Sequence, residues 1–443
     1  MNFKNVDWTF ADEEPRPGRN KMHLYPAAMH ASYVSKFLEH FKPSVVFDPF
    51  GGSGTVALEC VKRNIEVFTN DLNPLACLIT KSKVAIYSKD FEDQVNDILL
   101  AVEKIRGSYT GLITLIHKEA FPKTVEGQEQ RQNDDIFFER LKNYNVTIPK
   151  FKNIAYWFLP EVALSLSVIK LILPSDPFFQ VCFSECVRMV SNRRSGEFKL
   201  YRKPIEELID YNPDVFSTFS KIVKRNLDII IANPVHNDCC KVSGDDACGL
   251  NSIPNNCVDL LLTSPPYGDS GTTVAYGQFS RLSLQWLDIE ANQIDNLLLG
   301  GKNSKDCDLG KTQMAAVVDK LRKKDEKRAR EVMSFFCDLG RAFSSMDKKV
   351  KVGGHQVWIT GNRMVKETRL PLDLYVKEIG ERLGYSCVDI VYRNIPYKAM
   401  PKQNCPSNEK GKKVDTMTQE SIVILRKDKQ TDFSVYIPGF GYH

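Results

Sequence analysis

An open, doubly wound α/β sheet carrying a large helical insertion is the fold class this sequence predicts, and three observations predict it. Ser44-Val45-Val46-Phe47 is a short β-prone run that passes through a glycine-rich turn, Asp48-Pro49-Phe50-Gly51-Gly52-Ser53-Gly54-Thr55, into Val56-Ala57-Leu58-Glu59-Cys60-Val61, which reads as a helix. Ile65-Glu66-Val67-Phe68-Thr69-Asn70 then forms a second strand that ends at Asp71. Far downstream, Val258-Asp259-Leu260-Leu261-Leu262 has the apolar character of a buried parallel strand. Thr263-Ser264-Pro265-Pro266-Tyr267-Gly268 breaks it abruptly, because proline has no N–H and fixes its own φ.

Taken in order, the chain opens without a secretory pattern, since Met1-Asn2-Phe3-Lys4-Asn5-Val6-Asp7-Trp8 holds no long apolar segment. His23-Leu24-Tyr25-Pro26 and an amphipathic stretch over 27–41 precede the glycine-rich turn. Glycines in that turn permit positive φ and let a bulky ligand approach the backbone. No lysine follows Gly54, so this is not the phosphate loop of nucleoside triphosphatases. Asp71, at the tip of the second strand, is placed to accept hydrogen bonds from ribose hydroxyls, as in dinucleotide folds. Capping a helix that starts around Leu72-Asn73-Pro74 is its alternative role.

From about 83 to 237 the pattern changes. Residues 94–102 and 161–169 read as helices, and the polar stretch 126–135 between them as a loop. A minimal doubly wound core has no place for this segment, so it reads as an insertion. The core resumes near 226–231, and Gly244-Asp245-Asp246-Ala247 sits just upstream of the proline-broken strand. Residues 351–360 read as a turn and the next strand, with His355 structural, and 388–392 and 421–425 supply closing strands. The expected division is 1–85 for the first half of the core and 86–237 for the helical insertion. The second half is 238–443, with a basic helical insertion near 288–335.

Composition fits a large enzyme. At 443 residues the chain suits a core plus insertions, and 42% hydrophobic residues suffice to bury it. Mean hydropathy is −0.29, and no apolar run is long enough to cross a bilayer, so no membrane role is expected. The 12 cysteines include no CxxC pair, which argues against a zinc site and makes reduced cytosolic thiols, and a cytoplasmic location, the expectation. A net charge of +5 permits nucleic-acid binding without requiring it. Cations interleave with aromatics over 193–203, where Arg193, Arg194, Lys199 and Arg202 are candidate phosphate contacts. Lys320, Arg322, Lys323, Lys324, Lys327, Arg328 and Arg330 form a second cluster. Asp319, Asp325 and Glu326 are mixed into it, so a solvated helix face is an equal alternative.

The proline corner presents a hydroxyl, backbone carbonyls and an aromatic ring at the carboxyl edge of a sheet, where ligands bind in open α/β folds. Such a corner suits a flat ring bearing an exocyclic amine. Ser264 and the Pro265 carbonyl would accept its hydrogens, Pro266 would stiffen the corner, and Tyr267 would stack on the ring. The motif resembles the catalytic motif of the amino-group DNA methyltransferases, and DPFGGSGT is similar to their S-adenosylmethionine loop. The resemblance covers about two-thirds of the chain. It implies a Rossmann-like methyltransferase core with S-adenosyl-L-methionine held by His23, Tyr25, Asp48, Phe50, Gly51, Gly52, Ser53, Gly54, Thr55 and Asp71. Asp246 would contact the cofactor's adenine amine, although a plain polar turn there is an alternative. The segment 193–203 also looks like one found in modification methylases, as does 272–281, and 395–401 is expected to approach the target base.

The implied reaction moves a methyl group to an exocyclic nitrogen of a base flipped out of duplex DNA. Ser264 as the first residue of the tetrapeptide favours cytosine N4, with adenine N6 as the alternative. An inactive DNA-binding protein that keeps the fold is the contrasting class, and the intact pair of motifs argues against it. The implied partners are double-stranded DNA and a cognate restriction endonuclease in the same restriction-modification system. No metal is implied.

Overall fold

Seven strands form one sheet: β1 (Val45–Asp48), β2 (Glu66–Asn70), β3 (Cys240–Ser243), β4 (Val258–Thr263), β5 (Val350–Thr360), β6 (Tyr385–Asn394) and β7 (Gln419–Lys427). The computed structural model describes residues 3–118, 124–130, 132–142, 146–268, 275–290, 294–301, 307–395, 403–404, 414–415, 419–431 and 437–438. The spatial order is β3-β2-β1-β4-β5-β7-β6. Neighbours from β3 to β5 pair in parallel, and β7 runs antiparallel to both β5 and β6. The order reverses between β1 and β4, which is the switch point where a doubly wound sheet opens a crevice at its carboxyl edge. The expected α/β class is the one observed.

Alternation along the central strands explains their unbroken hydrophobicity. Phe47, Leu261, Trp358, Val423 and Leu425 face one apolar cluster, whereas Val46, Leu260, Leu262, Val357, Ile359, Ile422 and Ile424 face another. Both faces are therefore covered, as parallel strands require. Helices α1 (Ala31–Phe41) and α2 (Thr55–Val61) cover one face, and α3 (Pro74–Val84) continues the chain beyond β2. The α1 helix is shorter than the amphipathic stretch suggested. It starts at Ala31, where the His30 side chain accepts the Ser32 N–H, and this leaves 27–30 outside the helix, with Ala27 in a turn at φ +52°.

Between α3 and β3 lie α4 (Phe91–Lys118), α5 (Val125–Gln130), α6 (Asp134–Leu141), α7 (Pro160–Ile172), α8 (Pro177–Val190) and α9 (Val215–Ala232). All but α5 share one apolar cluster, which also takes in Met22, Leu282 and Trp286 from outside the segment. Two expectations are corrected here. Residues 126–135 are largely helical, since α5 covers the first part and Asn133 caps α6 by accepting from the Asp135 and Ile136 N–H groups. The core does not resume at 226–231, because this run closes α9. Val223, Asn226, Leu227 and Ile230 are buried at helical spacing, while Lys224, Asp228 and Ile231 are exposed.

After β4 come α10 (Tyr276–Trp286), α11 (Gln313–Arg322), α12 (Glu326–Asp347) and α13 (Leu372–Arg382), the last three packing on the other face of the sheet. The three arginines of the basic cluster over α11 and α12 are paired in place. Arg322 pairs with Asp319 and Glu326, Arg328 with Glu331, and Arg330 with Glu326. Cys307 and Cys337 are joined in a disulfide, which corrects the expectation of reduced thiols for this pair. The segment before α11 folds back over α12 and brings the two cysteines together. A buried knot secures the end of the sheet, where the Lys427 ammonium meets Asp347 at 2.7 Å and Tyr385 donates to the same carboxylate at 2.9 Å. No helix among the described residues is long and apolar enough to cross a membrane. Residues 272–274 and 396–401 lie outside the described residues.

Candidate functional site

A cleft of about 890 Å³, counted with its open mouth, lies at the carboxyl ends of β1, β2, β3 and β4. Its floor is the turn after β1. Gly51 donates to the Asn70 carbonyl at 2.8 Å, and a Cβ on Gly51 would stand 2.1 Å from Thr69 Oγ1, so the turn can press against β2 only as glycine. Gly54 takes φ +77° to start α2, and a side chain there would meet Thr80 at 2.6 Å. Gly52 has φ +49° and faces the cleft, where only the Tyr25 ring lies within 4 Å of a would-be Cβ.

Two carboxylates border this turn. Asp48, at the end of β1, accepts from Thr263 Oγ1 at 2.7 Å and from the Phe50 N–H at 3.2 Å. Burial pushes its carboxyl up to about 7. Asp71 accepts the Gly52 N–H and the Asn73 N–H, each at 2.8 Å, and burial pushes it up to about 6. Asp71 thus ties the glycine turn to the start of α3, where Asn73 is the cap. The Asn70 side chain knits β2 to the segment after β3, donating to the Asp245 carbonyl at 3.0 Å and accepting from the Asp245 N–H at 2.8 Å. Both Asp245 oxygens are taken by Ser252. Asp246 is exposed, lines the cleft, and is held by Cys248, whose N–H it accepts at 2.9 Å and whose thiol also hydrogen-bonds its carboxylate.

Of the residues singled out in the sequence, Tyr25, Asp48, Phe50, Gly51, Gly52 and Ser53 line the cleft. So do Thr55, Asp71, Asp246, Ser264 and Pro266. Gly54 shapes the turn from behind. His23 stands apart from the cleft, buried against the Ser184 hydroxyl at 3.1 Å and the Leu24 carbonyl at 2.6 Å, and burial pushes its imidazole down to about 4. Pro265 and Tyr267 sit behind the lining. The Tyr267 hydroxyl lies 3.1 Å from Ser264 Oγ and donates to Glu420 Oε1 at 3.1 Å, and Arg393 pairs with the other Glu420 oxygen. Burial first, and the Glu420 charge second, raise the Tyr267 phenol well above its ordinary range.

Sequence reasoning passed over Met29, Asn73, Leu297, Leu298 and Leu299 in the lining, and Glu420 and Arg393 behind it. Nothing along the sequence marks the last two, whose meeting depends on the pairing of β6 with β7. Among the described residues no group of three or more His, Cys, Asp or Glu side chains is placed to hold a metal ion.

The four basic candidates divide in two. Arg193 spends its guanidinium on the Arg188 and Arg194 carbonyls at 2.8 Å, and Arg202 donates to the Tyr156 carbonyl at 2.9 Å while lying over the Tyr156 ring. Arg194 is exposed and Lys199 partly so. Their segment packs on α10, with Phe198 beside Phe279 and the Leu200 N–H on Gln278 Oε1 at 3.3 Å, and α10 begins at Tyr276 in the cleft lining.

No family model matches the chain. The type II methyltransferase M.MvaI of Kocuria varians is 33% identical over 96% of this chain and 95% of its own length. The type II methyltransferase M.MjaII of Methanocaldococcus jannaschii is 31% identical over 20% of this chain and 18% of its own. Among solved structures, the rRNA methyltransferase AviRa of Streptomyces viridochromogenes aligns over 92% of this chain and 89% of its own at 9% identity, with a TM-score of 0.27 that bears no weight.

Proposed function

The chain belongs to the type II methyltransferase family, and on that premise we propose that it transfers a methyl group from S-adenosyl-L-methionine to the exocyclic N4 of cytosine in duplex DNA. Its partner in that role is a cognate restriction endonuclease, whose cleavage the modification blocks. The observation that carries this reading is the convergence on one cleft of the glycine turn, Asp71 and Ser264.

The cleft suits the cofactor. Gly52 leaves backbone open to close approach, and Asp71 offers a buried carboxylate to ribose hydroxyls. Asp246, exposed at the cleft, accepts from the adenine amine, whereas both Asp245 oxygens are occupied by Ser252. Tyr25, Asp48, Phe50, Gly51, Ser53 and Thr55 complete the cradle, and Gly54 sets its bend. When bound, S-adenosyl-L-methionine supplies an electrophilic methyl on its sulfonium.

The residues of the proline corner act on the base. An exocyclic amine is a poor nucleophile because its lone pair is delocalised into the ring. Ser264 Oγ and the Pro265 carbonyl accept its two hydrogens and draw the nitrogen toward tetrahedral geometry, while Pro266 holds the corner rigid. Tyr267 stacks on the extruded ring, a contact whose scale is roughly 1–3 kcal/mol per base. Holding the amine in line for attack supplies much of the acceleration. The helical segment 86–237 reads the target sequence, and Arg194 and Lys199 contact phosphates beside the cleft.

The test is to incubate duplex DNA with isotopically labelled S-adenosyl-L-methionine, digest it and identify the labelled nucleoside by mass spectrometry. N4-methylcytosine is expected. N6-methyladenine would overturn the base assignment, and absence of transfer to any nucleic acid would overturn the enzyme reading.

A further inference from the structure

Behind Ser264 runs a chain of polar groups from the second half of the sheet, of which the transfer chemistry above uses only the Tyr267 ring. Ser264 Oγ lies 3.1 Å from Tyr267 Oη, Tyr267 Oη lies 3.1 Å from Glu420 Oε1, and Arg393 pairs with Glu420 Oε2. The Arg393 guanidinium also rests 4.4 Å from the centre of the Tyr33 ring, which fixes the far end of the chain against α1. Glu420 opens β7 and Arg393 lies opposite it on β6, so two paired strands hold the carboxylate in place.

The direction of these hydrogen bonds follows from donor counting. A carboxylate paired with a guanidinium is acceptor-only, so Tyr267 must donate to Glu420. That spends the single phenolic proton, and at its other contact the Tyr267 oxygen can only accept. Burial and the adjacent Glu420 charge raise the phenol well above its ordinary range, so it keeps the proton it donates. Ser264 must then donate its own proton to Tyr267. A hydroxyl has one proton and two lone pairs, so what Ser264 still offers the cleft is lone pairs alone.

We infer that Glu420, acting through Tyr267, is a positioning residue that fixes Ser264 as a hydrogen-bond acceptor and so makes the site select a base bearing an amine over one bearing a carbonyl at the same position. The inference rests on Ser264 receiving the amine, as proposed above. An amine brings N–H donors to the Ser264 lone pairs. A carbonyl brings lone pairs against lone pairs, and with its proton committed backward Ser264 cannot turn to meet it. A buried polar site matched to one hydrogen-bonding pattern rejects the opposite one strongly, because mismatched groups are left unpaired.

The experiment measures turnover, KM for DNA, cofactor affinity and melting temperature for Ser264→Ala, Glu420→Gln, Tyr267→Phe and the Glu420→Gln/Tyr267→Phe double variant. It adds binding to duplexes with cytosine or uracil at the modified position. Glutamine can donate to Tyr267 and so reverse the chain, while phenylalanine keeps the ring and leaves the Arg393–Glu420 pair intact. Glu420→Gln should lower kcat roughly ten- to a hundredfold, the effect of one hydrogen bond to a charged group on a rate, with cofactor affinity unchanged. It should also narrow the preference for cytosine over uracil, and in the Tyr267→Phe background it should add nothing. If Ser264→Ala turns over normally, the role of Ser264 itself is wrong and the inference goes with it. If Ser264→Ala is slow, the role of Ser264 stands and the inference is judged separately. It is then overturned by Glu420→Gln and Tyr267→Phe with parental kcat, by effects that multiply in the double variant, or by an unchanged base preference. Should Glu420→Gln melt early because Arg393 loses its partner, Tyr267→Phe alone decides, through its kcat and its cytosine preference.

Discussion

Replacing Asp71 with alanine tests the cofactor half of the site. The carboxylate holds the Gly52 and Asn73 N–H groups at 2.8 Å each and borders the cleft. Both donors face a space that admits water, so solvent can replace the carboxylate, and the cost to folding should stay near 1 kcal/mol, at the low end for an orphaned donor. Cofactor binding loses more, because the ribose acceptors go and the glycine turn loses its tether to α3. Hydrogen bonds to a charged group set that loss at about 1–3 kcal/mol, or roughly 5- to 150-fold in Kd. Isothermal titration calorimetry with S-adenosyl-L-methionine, alongside a melting curve, measures both. Asp71→Asn, which keeps one acceptor and loses the charge, should fall between. The carboxylate is the accepting form and is pushed up to about 6, so parental affinity should hold at neutral pH and weaken as pH falls through about 6. Asp48, pushed up to about 7 by burial and to a lesser extent by the Asp71 charge, titrates nearby and shifts down when Asp71 is removed, so the pH comparison is made in an Asp48→Asn background. A folded Asp71→Ala protein with parental affinity and an unaltered pH profile would refute the assignment.

Three further outcomes are expected. Gly54→Ala places a Cβ 2.6 Å from Thr80 at φ +77° and should lower stability by about 1–3 kcal/mol, with Thr80→Ala recovering the steric share; a parental melting temperature would show that the turn yields freely. Lys427→Met strands the buried Asp347 charge and should cost about 3–5 kcal/mol by urea unfolding, whereas a loss under 1 kcal/mol would mean the knot at the end of the sheet is dispensable. Arg194→Ala with Lys199→Ala should flatten the salt dependence of DNA binding by about 0.9 in slope per lost phosphate contact, while Arg193→Ala or Arg202→Ala should mainly lower the melting temperature; an unchanged slope would make the segment a solvated surface only.

Local chemistry made much of this protein legible from its residues alone. The switch from β-prone run to glycine turn to helix over 44–61 depends on steric rules that act within a few residues, and β1 and α2 follow it closely. The same holds for the strand that ends at Asp71 and for the apolar run before Pro265. These segments bring their own turn chemistry, so the residues that meet in the cleft could be named in advance. Periodicity failed where a run was short: 226–231 is apolar enough for a strand, and only packing of α9 against α8 decides that Asn226 and Ile230 share a buried helical face. Tertiary structure alone decided how the two acids beside the cleft are held, because Ser252 takes both Asp245 oxygens while Asp246 stays exposed with Cys248 as its partner. It also moved His23 away from the cleft to Ser184, and split the basic segment into arginines that brace backbone carbonyls and side chains that face solvent. The pairing of Ser264 with Glu420 through Tyr267 spans about a third of the chain and exists only because β7 inserts antiparallel between β5 and β6. No pattern along the sequence encodes that meeting: hydrogen-bond direction depends on which groups share a point in space, and strand order determines that.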